Sequence, residues 1–600
     1  MPQIQGLGPK EDNLCEMFFN RAKQQPYTTF IWTKKEREWI SHSWGDIFNQ
    51  VRVIASALLQ RGITKGARVA ILSENRIEWI IADLAIMSIG AICVPLFTTH
   101  TQADITYLLS HSGARAIICS HSELIAFAET AAQDSPECYL MVFIEQSKLL
   151  HHSLNIAIVS WEELKKEGET AIAGSAFSLP KISADEVCCI IYSSDGDEKP
   201  KGAMLTHRSI MAVLAGAEGL LLDLTSGKET FLSMLPLSHA YEHSVGLFFP
   251  IHIRAEIYLL QKPEALSAAI LETKPTIMTA VPRLYEILQD KIHSSYQHKG
   301  VIKRKMLNRA IYLGRKNLQK IPLTLFERIE NKYLDFTVRR QIKARLGGRL
   351  KAFVSGGAAL DPNIGYFFLA LNIRILQGYG QTEASPVISA NPPKNIKIET
   401  VGKLLTGVEV KLTKVGEICV RGDLVMKGYW NDPVATKKKL RDGWLMTGDI
   451  GVLHPDGYIS LTGRKKDIII NSGGDNISPI KIETVLEAHP DIDQAMAYGN
   501  QHAYITAVIT PNQKLVTELQ QNQNKLLDVI SEAIKTANAR LSSIEKVRSF
   551  LLSDEPFSIK NECLTASGLI KRQQINQLYK ERLEQLYKRN YSLSTKSETT

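Results

Sequence analysis

Ile375–Ser389 is the most chemically specific stretch of the sequence and reads ILQGYGQTEASPVIS. An apolar run leads into Gly-Tyr-Gly, where Tyr379 could stack on an aromatic base between flexible glycines. Glu383 follows, and its carboxylate is a hard oxygen ligand that suits Mg²⁺ beside a triphosphate. A glycine turn with a surface glutamate is the alternative, but it would not explain the next motif.

That motif, Asp442–Pro479, reads DGWLMTGDIGVLHPDGYISLTGRKKDIIINSGGDNISP. Asp449 is predicted to lie in a Gly-Asp turn, where its carboxylate can accept hydrogen bonds from two ribose hydroxyls. Arg464 is predicted to lie just beyond a strand and could donate to the same ribose or to a phosphate. The two motifs together favour a nucleotide site.

A third stretch, Ile190–Gly202, reads IIYSSDGDEKPKG and begins as a predicted strand. A strand that runs into a loop of Ser and Gly can hold phosphates through backbone N–H groups. Three acidic residues lie in this loop, and like charges oppose phosphate binding. Taken alone, the stretch therefore favours an ordinary solvated loop.

Apolar strands and amphipathic helices are expected to position these groups. Residues 40–120 alternate helical spacing with short apolar runs such as ARVAILS and AICVPLF, and residues 185–290 repeat that pattern. After about Val401 short strands and turns dominate, and a small α/β unit begins near Lys465. The sequence predicts an α/β fold with a large N-terminal region of parallel sheets, a β-rich portion and a small C-terminal domain. A polar tail, SLSTKSETT, is expected to be disordered.

Composition places the chain among ordinary globular proteins, with 600 residues of which 44% are hydrophobic and 22% charged. Its eight cysteines form no CxxC pair and lie mostly in apolar runs, which predicts buried reduced thiols. No secretory signal is recognisable, and the longest apolar runs fall short of the ~20 residues that span a bilayer. We expect a cytoplasmic protein, with peripheral membrane association left open.

Residues 291–351 hold the excess positive charge of the chain. They contain 17 Lys and Arg against three acidic residues, a net charge of +14, whereas the whole chain carries +9. The segment is predicted to be helical, so a solvated basic surface is the simplest interpretation. Attraction to anionic lipid headgroups or to a polyanionic substrate is the functional alternative. Nucleic acid is not expected as a partner, because no stacking platform accompanies the charge.

In this order the motifs resemble the adenylate-forming superfamily, which includes acyl-CoA synthetases and luciferase. The stretches LPLSHAYEH and KPTIMTAVPRLYE, and the long insertion after them, are most similar to long-chain fatty acyl-CoA synthetases. The resemblance implies an AMP-binding domain of residues 1–464 and a mobile C-terminal domain of residues 465–600. It implies ATP-dependent activation of a long-chain fatty acid through acyl-AMP and transfer to CoA. An acyl carrier protein is the alternative acceptor.

The resemblance also implies roles for single residues. Tyr379 would stack on adenine, Asp449 would hold the ribose, and Arg464 would help to fix the nucleotide. Glu383 would bind the catalytic Mg²⁺, and His239 would lie near the acyl carboxylate. Further contacts with ATP would come from Ser193, Ser194, Lys201, Gly378, Gly380 and Thr382, and Lys466 would be the hinge of the C-terminal domain.

Two departures from the family pattern bear on activity. Asp195, Asp197 and Glu198 stand in the phosphate loop at positions where the family has threonine and glycine. A carboxylate ~5 Å from a phosphate oxygen costs about 3 kcal/mol at an effective dielectric constant near 20, unless a bridging Mg²⁺ reverses the sign. Leu569 replaces the catalytic lysine of the family, and Lys571 could partly substitute for it in an extended segment but not in a turn. An impaired homologue that binds acyl groups or nucleotides is therefore the alternative to an enzyme.

Overall fold

The computed structural model describes residues 11–145, 156–174, 179–193, 199–225, 227–519, 522–566 and 568–594. Its strands form two large sheets, a smaller β-rich sheet and a C-terminal unit. In chain order the strands are β1 (Thr29–Lys35), β2 (Glu38–Ser43), β3 (Arg68–Leu72), β4 (Ile92–Leu96), β5 (Ala114–Cys119), β6 (Leu140–Phe143), β7 (Ala157–Ser160), β8 (Val187–Ser193), β9 (Lys201–Thr206), β10 (Thr230–Ser233), β11 (Glu256–Leu259), β12 (Ile277–Ala280), β13 (Ala352–Ser355), β14 (Ile375–Gly380), β15 (Val387–Ala390), β16 (Lys403–Leu404), β17 (Glu409–Leu412), β18 (Glu417–Arg421), β19 (Leu440–Arg441), β20 (Trp444–Leu453), β21 (Ile459–Arg464), β22 (Ile469–Ile470), β23 (Asn476–Ile477), β24 (Ile492–Tyr498), β25 (Ile505–Pro511) and β26 (Val547–Leu552).

The helices alternate with these strands and cover the sheets. In chain order they are α1 (Leu14–Gln24), α2 (Trp44–Gln60), α3 (Ile77–Ser88), α4 (Gln102–Ser112), α5 (Ser122–Gln133), α6 (Trp161–Gly174), α7 (His207–Leu221), α8 (Phe249–Ile253), α9 (Leu266–Thr273), α10 (Pro282–Gln297), α11 (Val301–Leu318), α12 (Leu325–Leu334), α13 (Arg340–Arg345), α14 (Pro362–Ala370), α15 (Pro433–Lys439), α16 (Pro479–Glu487), α17 (Gln513–Glu518), α18 (Gln523–Asn538) and α19 (Arg572–Ser594). Several helices begin at a capping box. At the start of α2, the side chains of Ser43 and Asp46 each accept a hydrogen bond from the backbone N–H of the other residue.

The first large sheet has the strand order β7-β6-β5-β3-β4-β8-β9. Its neighbouring strands are parallel except for β8 and β9, which form an antiparallel hairpin. The apolar runs that predict β3, β4 and β5 are almost wholly buried, as parallel strands covered by helices on both faces must be. The expected parallel α/β arrangement is therefore confirmed here.

The second large sheet has the order β16-β15-β14-β13-β12-β10-β11-β1-β2. The strands from β14 to β1 are parallel, and antiparallel strands lie at both edges. One apolar core contains side chains from both large sheets and from α2 and α3. Ser193 at the end of β8 and Ser355 at the end of β13, one from each large sheet, line the same cleft.

The basic segment, residues 291–351, is helical as predicted. It comprises the end of α10, then α11, α12, a π-helical turn at Asp335–Arg339, and α13. Leu307, Leu313 and Leu334 pack into a core that also holds side chains of α14 and β13. The segment is thus a packed layer over the second sheet.

The β-rich portion is a sheet of β17 to β21, and the C-terminal unit combines the sheet β24-β25-β26 with α16, α18 and α19. Helix α19 continues to Ser594, so the prediction of a disordered tail is wrong for residues 592–594. A helix that is anchored by buried side chains such as Ile575 and Leu583 propagates easily into adjoining residues. Residues 595–600 lie outside the described part of the chain. Within that part, no helix has the length and apolar character needed to cross a membrane.

Candidate active site

A cleft of about 1100 Å³ lies between the N-terminal region and the C-terminal unit. Strands from both large sheets end at it, since Ser193 ends β8, Ser355 ends β13 and Gly380 ends β14. Residues of the C-terminal unit, from Ile559 to Gln577, also line it. Ligands of α/β folds bind at the carboxyl ends of strands and between domains, which makes this cleft the candidate active site.

Three of the predicted nucleotide-binding residues contact one another in this cleft. The Tyr379 hydroxyl donates to Oδ2 of Asp449 at 2.7 Å, and Nε of Arg464 lies 3.3 Å from Oδ1. Burial and the negative charge of Asp449 raise the pKa of Tyr379 well above its usual range, so the hydroxyl remains a donor. The structure thus brings these three predicted residues together at the cleft.

The local structure around Asp449 differs from the predicted turn. Asp449 lies inside strand β20 and pairs with Arg464, the last residue of β21. Gly448 has a φ of +78°, so the Gly-Asp signal marks a kink within the strand instead of a chain reversal. Antiparallel pairing of β20 with the next strand, β21, holds the carboxylate and the guanidinium together.

The glycines beside Tyr379 serve close packing and not flexibility. Gly378 and Gly380 lie in strand β14, which pairs with β15. A Cβ atom on Gly380 would come within 1.7 Å of the Pro386 carbonyl oxygen. The prediction of flexible glycines is therefore wrong, because only glycine permits this approach of the two strands.

Glu383 follows β14 in a 3₁₀-helical turn, Thr382–Ala384. Its side chain is buried, and the Tyr429 hydroxyl donates to Oε1 at 2.6 Å. Across the described residues, no group of three or more His, Cys, Asp or Glu side chains could hold a metal ion. A single carboxylate suits Mg²⁺, which commonly binds one or two carboxylates together with substrate phosphates and water. Glu383 and the neighbouring Thr382, which both line the cleft, fit this mode of binding.

The predicted phosphate loop is described only at its two ends. Ser193 and Lys201 pair across the β8-β9 hairpin, and both line the cleft. Ser194, together with the three acidic residues of the loop, lies outside the described residues. The two described ends of the loop therefore lie at the cleft that Tyr379 also lines.

His239 is half-buried at the cleft, 6.1 Å from Phe97 between ring centroids. The Tyr241 backbone N–H donates to its Nδ1 atom at 3.1 Å. Desolvation lowers the pKa of His239, which favours the neutral ring at neutral pH. With Nδ1 as an acceptor, the proton of the neutral ring lies on Nε2.

The segment that replaces the family lysine is a tight hairpin. Leu564 pairs with Ile570, and the backbone N–H of Lys571 donates to the Cys563 carbonyl at 2.9 Å. Leu569 and Lys571 lie on the returning arm, and both line the cleft. Leu569 and Lys571 thus lie at the same cleft on the arm of the hairpin that follows the turn.

Polar contacts connect the C-terminal unit with the N-terminal region. The Thr99 hydroxyl donates to the Ala566 carbonyl at 2.9 Å, beside the hairpin. Nη2 of Arg540 lies 3.5 Å from Oδ1 of Asp361, the residue before α14. Lys466 lies in the turn that follows β21 and also lines the cleft.

Some cleft residues were not anticipated from the sequence. Gly356 and Gly357 follow β13, and Tyr429 supplies the hydrogen bond to Glu383. The run VSGGAALDP, which joins an apolar strand to a helix that begins with Asp-Pro, was the available signal for the two glycines. Tyr429 has no comparable local signal, because only the tertiary fold brings it to Glu383.

Family models match both parts of the chain. Residues 18–430 match the AMP-binding enzyme family, and residues 466–591 match the AMP-binding enzyme C-terminal domain. The chain is 29% identical to the long-chain-fatty-acid–CoA ligase FadD15 of Mycobacterium bovis, with 96% of this chain and 97% of that protein covered. It is 27% identical to long chain acyl-CoA synthetase 3 of Arabidopsis thaliana, with coverage of 93% and 88%.

Solved structures share the fold. The adenylation domain of a carboxylate reductase from Mycobacterium chelonae superimposes with a TM-score of 0.75 at 20% identity, covering 98% of this chain and 92% of that one. The O-succinylbenzoate coenzyme A synthetase of Bacillus subtilis, solved with AMP, gives a TM-score of 0.67 at 20% identity, with coverage of 93% and 97%. These likenesses confirm the expected mixed α/β architecture.

Proposed function

Because the chain belongs to the AMP-binding enzyme family, we propose that it is a ligase that uses ATP to join a long-chain fatty acid to CoA. The observation that carries this proposal is the single cleft lined by Tyr379, Glu383, Asp449 and Lys571. Tyr379 suits the adenine base and Glu383 suits the metal ion. Asp449 suits the ribose, and Lys571 suits the reacting carboxylate. The names of the mycobacterial and plant relatives support the choice of substrate class.

In the first step, an oxygen of the fatty acid carboxylate attacks the α-phosphorus of ATP. The bond from that phosphorus to the bridging oxygen breaks, and pyrophosphate leaves with the electron pair. Tyr379 stacks on adenine, and Asp449 accepts hydrogen bonds from the ribose while Arg464 steadies it. An ionised carboxylate has about four lone-pair positions, so Asp449 can bind ribose and keep its present partners.

Charge neutralisation is the main requirement of this step, because two anions must approach each other. Lys571 provides a positive charge for the acyl carboxylate and the α-phosphate, in place of the lysine that Leu569 replaces. His239 donates a hydrogen bond from Nε2 to the carboxylate. Glu383 would hold Mg²⁺, which supplies further positive charge at the phosphates. Other phosphate contacts come from Ser193, Ser194, Lys201, Gly378, Gly380 and Thr382.

In the second step, the thiol of CoA gives its proton to water and the thiolate attacks the acyl carbonyl carbon. The bond from that carbon to the phosphate oxygen breaks, and AMP leaves with the electron pair. A domain of residues 465–600 rotates about Lys466 to admit the thiol to the adenylate bound in the N-terminal domain, residues 1–464. The phosphopantetheine thiol of an acyl carrier protein is the alternative acceptor.

An impaired homologue is the second candidate, and Leu569 is the observation that favours it. An apolar, half-exposed side chain stands where the family has a cation. The presence of Lys571 in the same cleft weighs against this candidate.

The basic segment attracts the enzyme to anionic membranes, where long-chain fatty acids dissolve. Most of its 17 cations lie on a packed layer of helices, and each cation near an anionic surface contributes about 1 kcal/mol. This attraction would make the enzyme, which we expect in the cytoplasm, a peripheral membrane protein.

The test is product formation with purified protein, ATP and MgCl₂. Fatty acids of increasing chain length are offered with either CoA or an acyl carrier protein, and AMP and thioester are quantified. We expect equal amounts of AMP and acyl-CoA that depend on a long-chain acid. No AMP with any acid would favour the impaired homologue, and thioester on the carrier protein alone would replace CoA as the acceptor.

A further inference from the structure

Helix α12 presents an apolar surface that nothing in the described chain covers. Leu325, Phe326, Ile329 and Tyr333 are each between 60% and 76% exposed. At 100° per residue, these four side chains lie within one 100° arc of the helix. Leu334, the residue that anchors α12 in the core, points to the opposite side. The four residues are called the α12 apolar face below.

Further exposed apolar side chains occur on the elements that adjoin α12 in the chain. Phe336, in the π-helical turn after α12, is 66% exposed, and Ile302 at the start of α11 is 76% exposed. Scattered exposed apolar residues are normal, but a cluster of this kind marks an interaction surface. Thr324 and Glu327 form a capping box at the start of α12, which stabilises the helix.

Cations border the α12 apolar face. Arg328 and Lys332 are exposed and lie beside it on the helix, and the Arg340 guanidinium lies 5.2 Å from the centroid of the Phe336 ring. Lys320 is exposed in the turn before the helix. An apolar stripe with flanking Lys and Arg is the pattern of helices that lie in the plane of a membrane interface.

The three acidic residues of the segment are already neutralised. Glu327 pairs with Lys316 at 2.8 Å, and Glu330 pairs with Arg309 at 2.8 Å. The third acid, Asp335, forms an ion pair with Arg339 at 2.7 Å. The surface therefore offers an approaching anion little repulsion. A second copy of this chain is a poor occupant, because it would bring together two basic segments that each carry a net charge of +14.

We infer that the α12 apolar face inserts into the headgroup region of an anionic lipid bilayer, with α12 parallel to the membrane. The inference rests on the membrane contact proposed above and adds the element that enters the lipid. Charge brings the protein to the surface, and burial of the apolar side chains holds it there. Binding consequently depends on side chains that carry no charge.

The first experiment compares sedimentation with vesicles of phosphatidylcholine and phosphatidylglycerol, and with vesicles of phosphatidylcholine alone. The double variant Leu325→Ser, Phe326→Ser should bind anionic vesicles at least about tenfold more weakly than the parent. The matched control is Val415→Ser, Leu578→Ser, which removes two side chains of 61% and 59% exposure elsewhere and should bind like the parent. Ligase activity on detergent-dispersed fatty acid should be equal in all three proteins.

The second experiment tests whether the side chain at position 326 enters the lipid bilayer. All eight native cysteines are buried, so a cysteine introduced by Phe326→Cys can be labelled selectively with a polarity-sensitive dye. Its emission should shift to shorter wavelength when anionic vesicles are added. The same dye on Val415→Cys should not respond.

The outcomes separate this inference from the proposal on which it rests. If the parent shows no preference for anionic vesicles, the membrane contact is wrong and the inference falls with it. If the parent shows the preference but the α12 double variant binds equally well, only the insertion is wrong. A dye shift at position 326 that needs higher protein concentration and no lipid would assign the surface to a second copy, and would also overturn the inference.

Discussion

At the scale of single residues, Asp449 contacts two other residues that we propose bind the nucleotide. Its carboxylate accepts the Tyr379 hydroxyl and lies beside Arg464 at the cleft. The residue types predicted this grouping, because a ring, a carboxylate and a guanidinium suit the parts of one nucleotide. Sequence alone could not show that the hydroxyl of Tyr379 bonds Asp449, since strands β14 and β20 meet only in the tertiary structure.

Asp449→Ala should lower kcat/KM for ATP by roughly 10²-fold or more, because charge-assisted hydrogen bonds to the ribose are lost. The fold should persist, which thermal unfolding would verify. Tyr379→Phe is the matched control, because it removes the donor to Asp449 and keeps the ring that stacks on adenine. Its loss should be below about tenfold. An Asp449→Ala variant with full activity at low ATP would refute the ribose assignment.

The replacement of the family lysine leads to a second prediction for single residues. Lys571→Ala should slow acyl-AMP formation by about 10²–10³-fold, because it removes the positive charge proposed for the two reacting anions. Conversion of supplied acyl-AMP with CoA should change little, since that step uses a different arrangement of the domains.

Leu569→Lys is the complementary change and restores a cation at the family position. If Lys571 already serves, Leu569→Lys should have little effect on adenylation, whereas Leu569→Lys in the Lys571→Ala background should recover part of the loss. Both half-reactions are measured separately for each variant. A Lys571→Ala variant with the parent adenylation rate would remove Lys571 from the mechanism.

At the scale of elements, local patterns predicted the structure well where apolar side chains repeat regularly. The runs that became β3, β4 and β5 and the helices of the basic segment are examples. Prediction was weaker where packing decides the conformation. Gly448 kinks a strand instead of forming a turn, and α19 extends into a polar tail because buried residues anchor it.

The π-helical segment Glu242–Phe248 contains a buried carboxyl whose titration affects stability. Burial raises the pKa of Glu242 from 4.5 to about 7, although the Ser233 and Thr279 hydroxyls each donate to it at 2.6 Å. Between about pH 4.5 and 7 the folded protein holds a proton that the unfolded chain has released. Stability therefore falls as pH rises through this window, by about 3 kcal/mol in total.

Glu242→Gln should reduce this pH dependence, because glutamine resembles the protonated carboxyl at every pH. The measurement is the melting temperature of parent and variant at about pH 5 and about pH 8. The parent should lose more stability than the variant between these two values. Equal losses would mean that Glu242 is already ionised in the folded protein at the lower pH.

At the scale of the whole molecule, the proposed two-step reaction has the C-terminal domain change position between the steps. In the present arrangement the Thr99 hydroxyl contacts the Ala566 carbonyl, and the hairpin with Lys571 lines the cleft. This arrangement suits adenylation. The resemblance to the family predicted a hinge at Lys466, whereas contacts such as that of Thr99 with Ala566 depend on a separation of 467 residues and had no sequence signal.

Lys466→Pro should separate the two half-reactions. Proline fixes φ near −65°, which restricts the backbone rotation that a hinge must make. Adenylation should stay within about threefold of the parent, and thioester formation should fall at least about tenfold. Lys466→Ala is the control for loss of the side chain and should keep more of the second step. Equal slowing of both steps by Lys466→Pro would place the hinge elsewhere.

The central claim is that this cleft activates a fatty acid as its adenylate, and the most direct measurement is exchange of labelled pyrophosphate into ATP. Exchange requires reversible acyl-AMP formation and does not depend on the thiol acceptor. The account predicts exchange that is stimulated by long-chain fatty acids, requires Mg²⁺, and is lost in Asp449→Ala. Absence of exchange with every fatty acid tested, in a protein that still binds ATP, would contradict the claim.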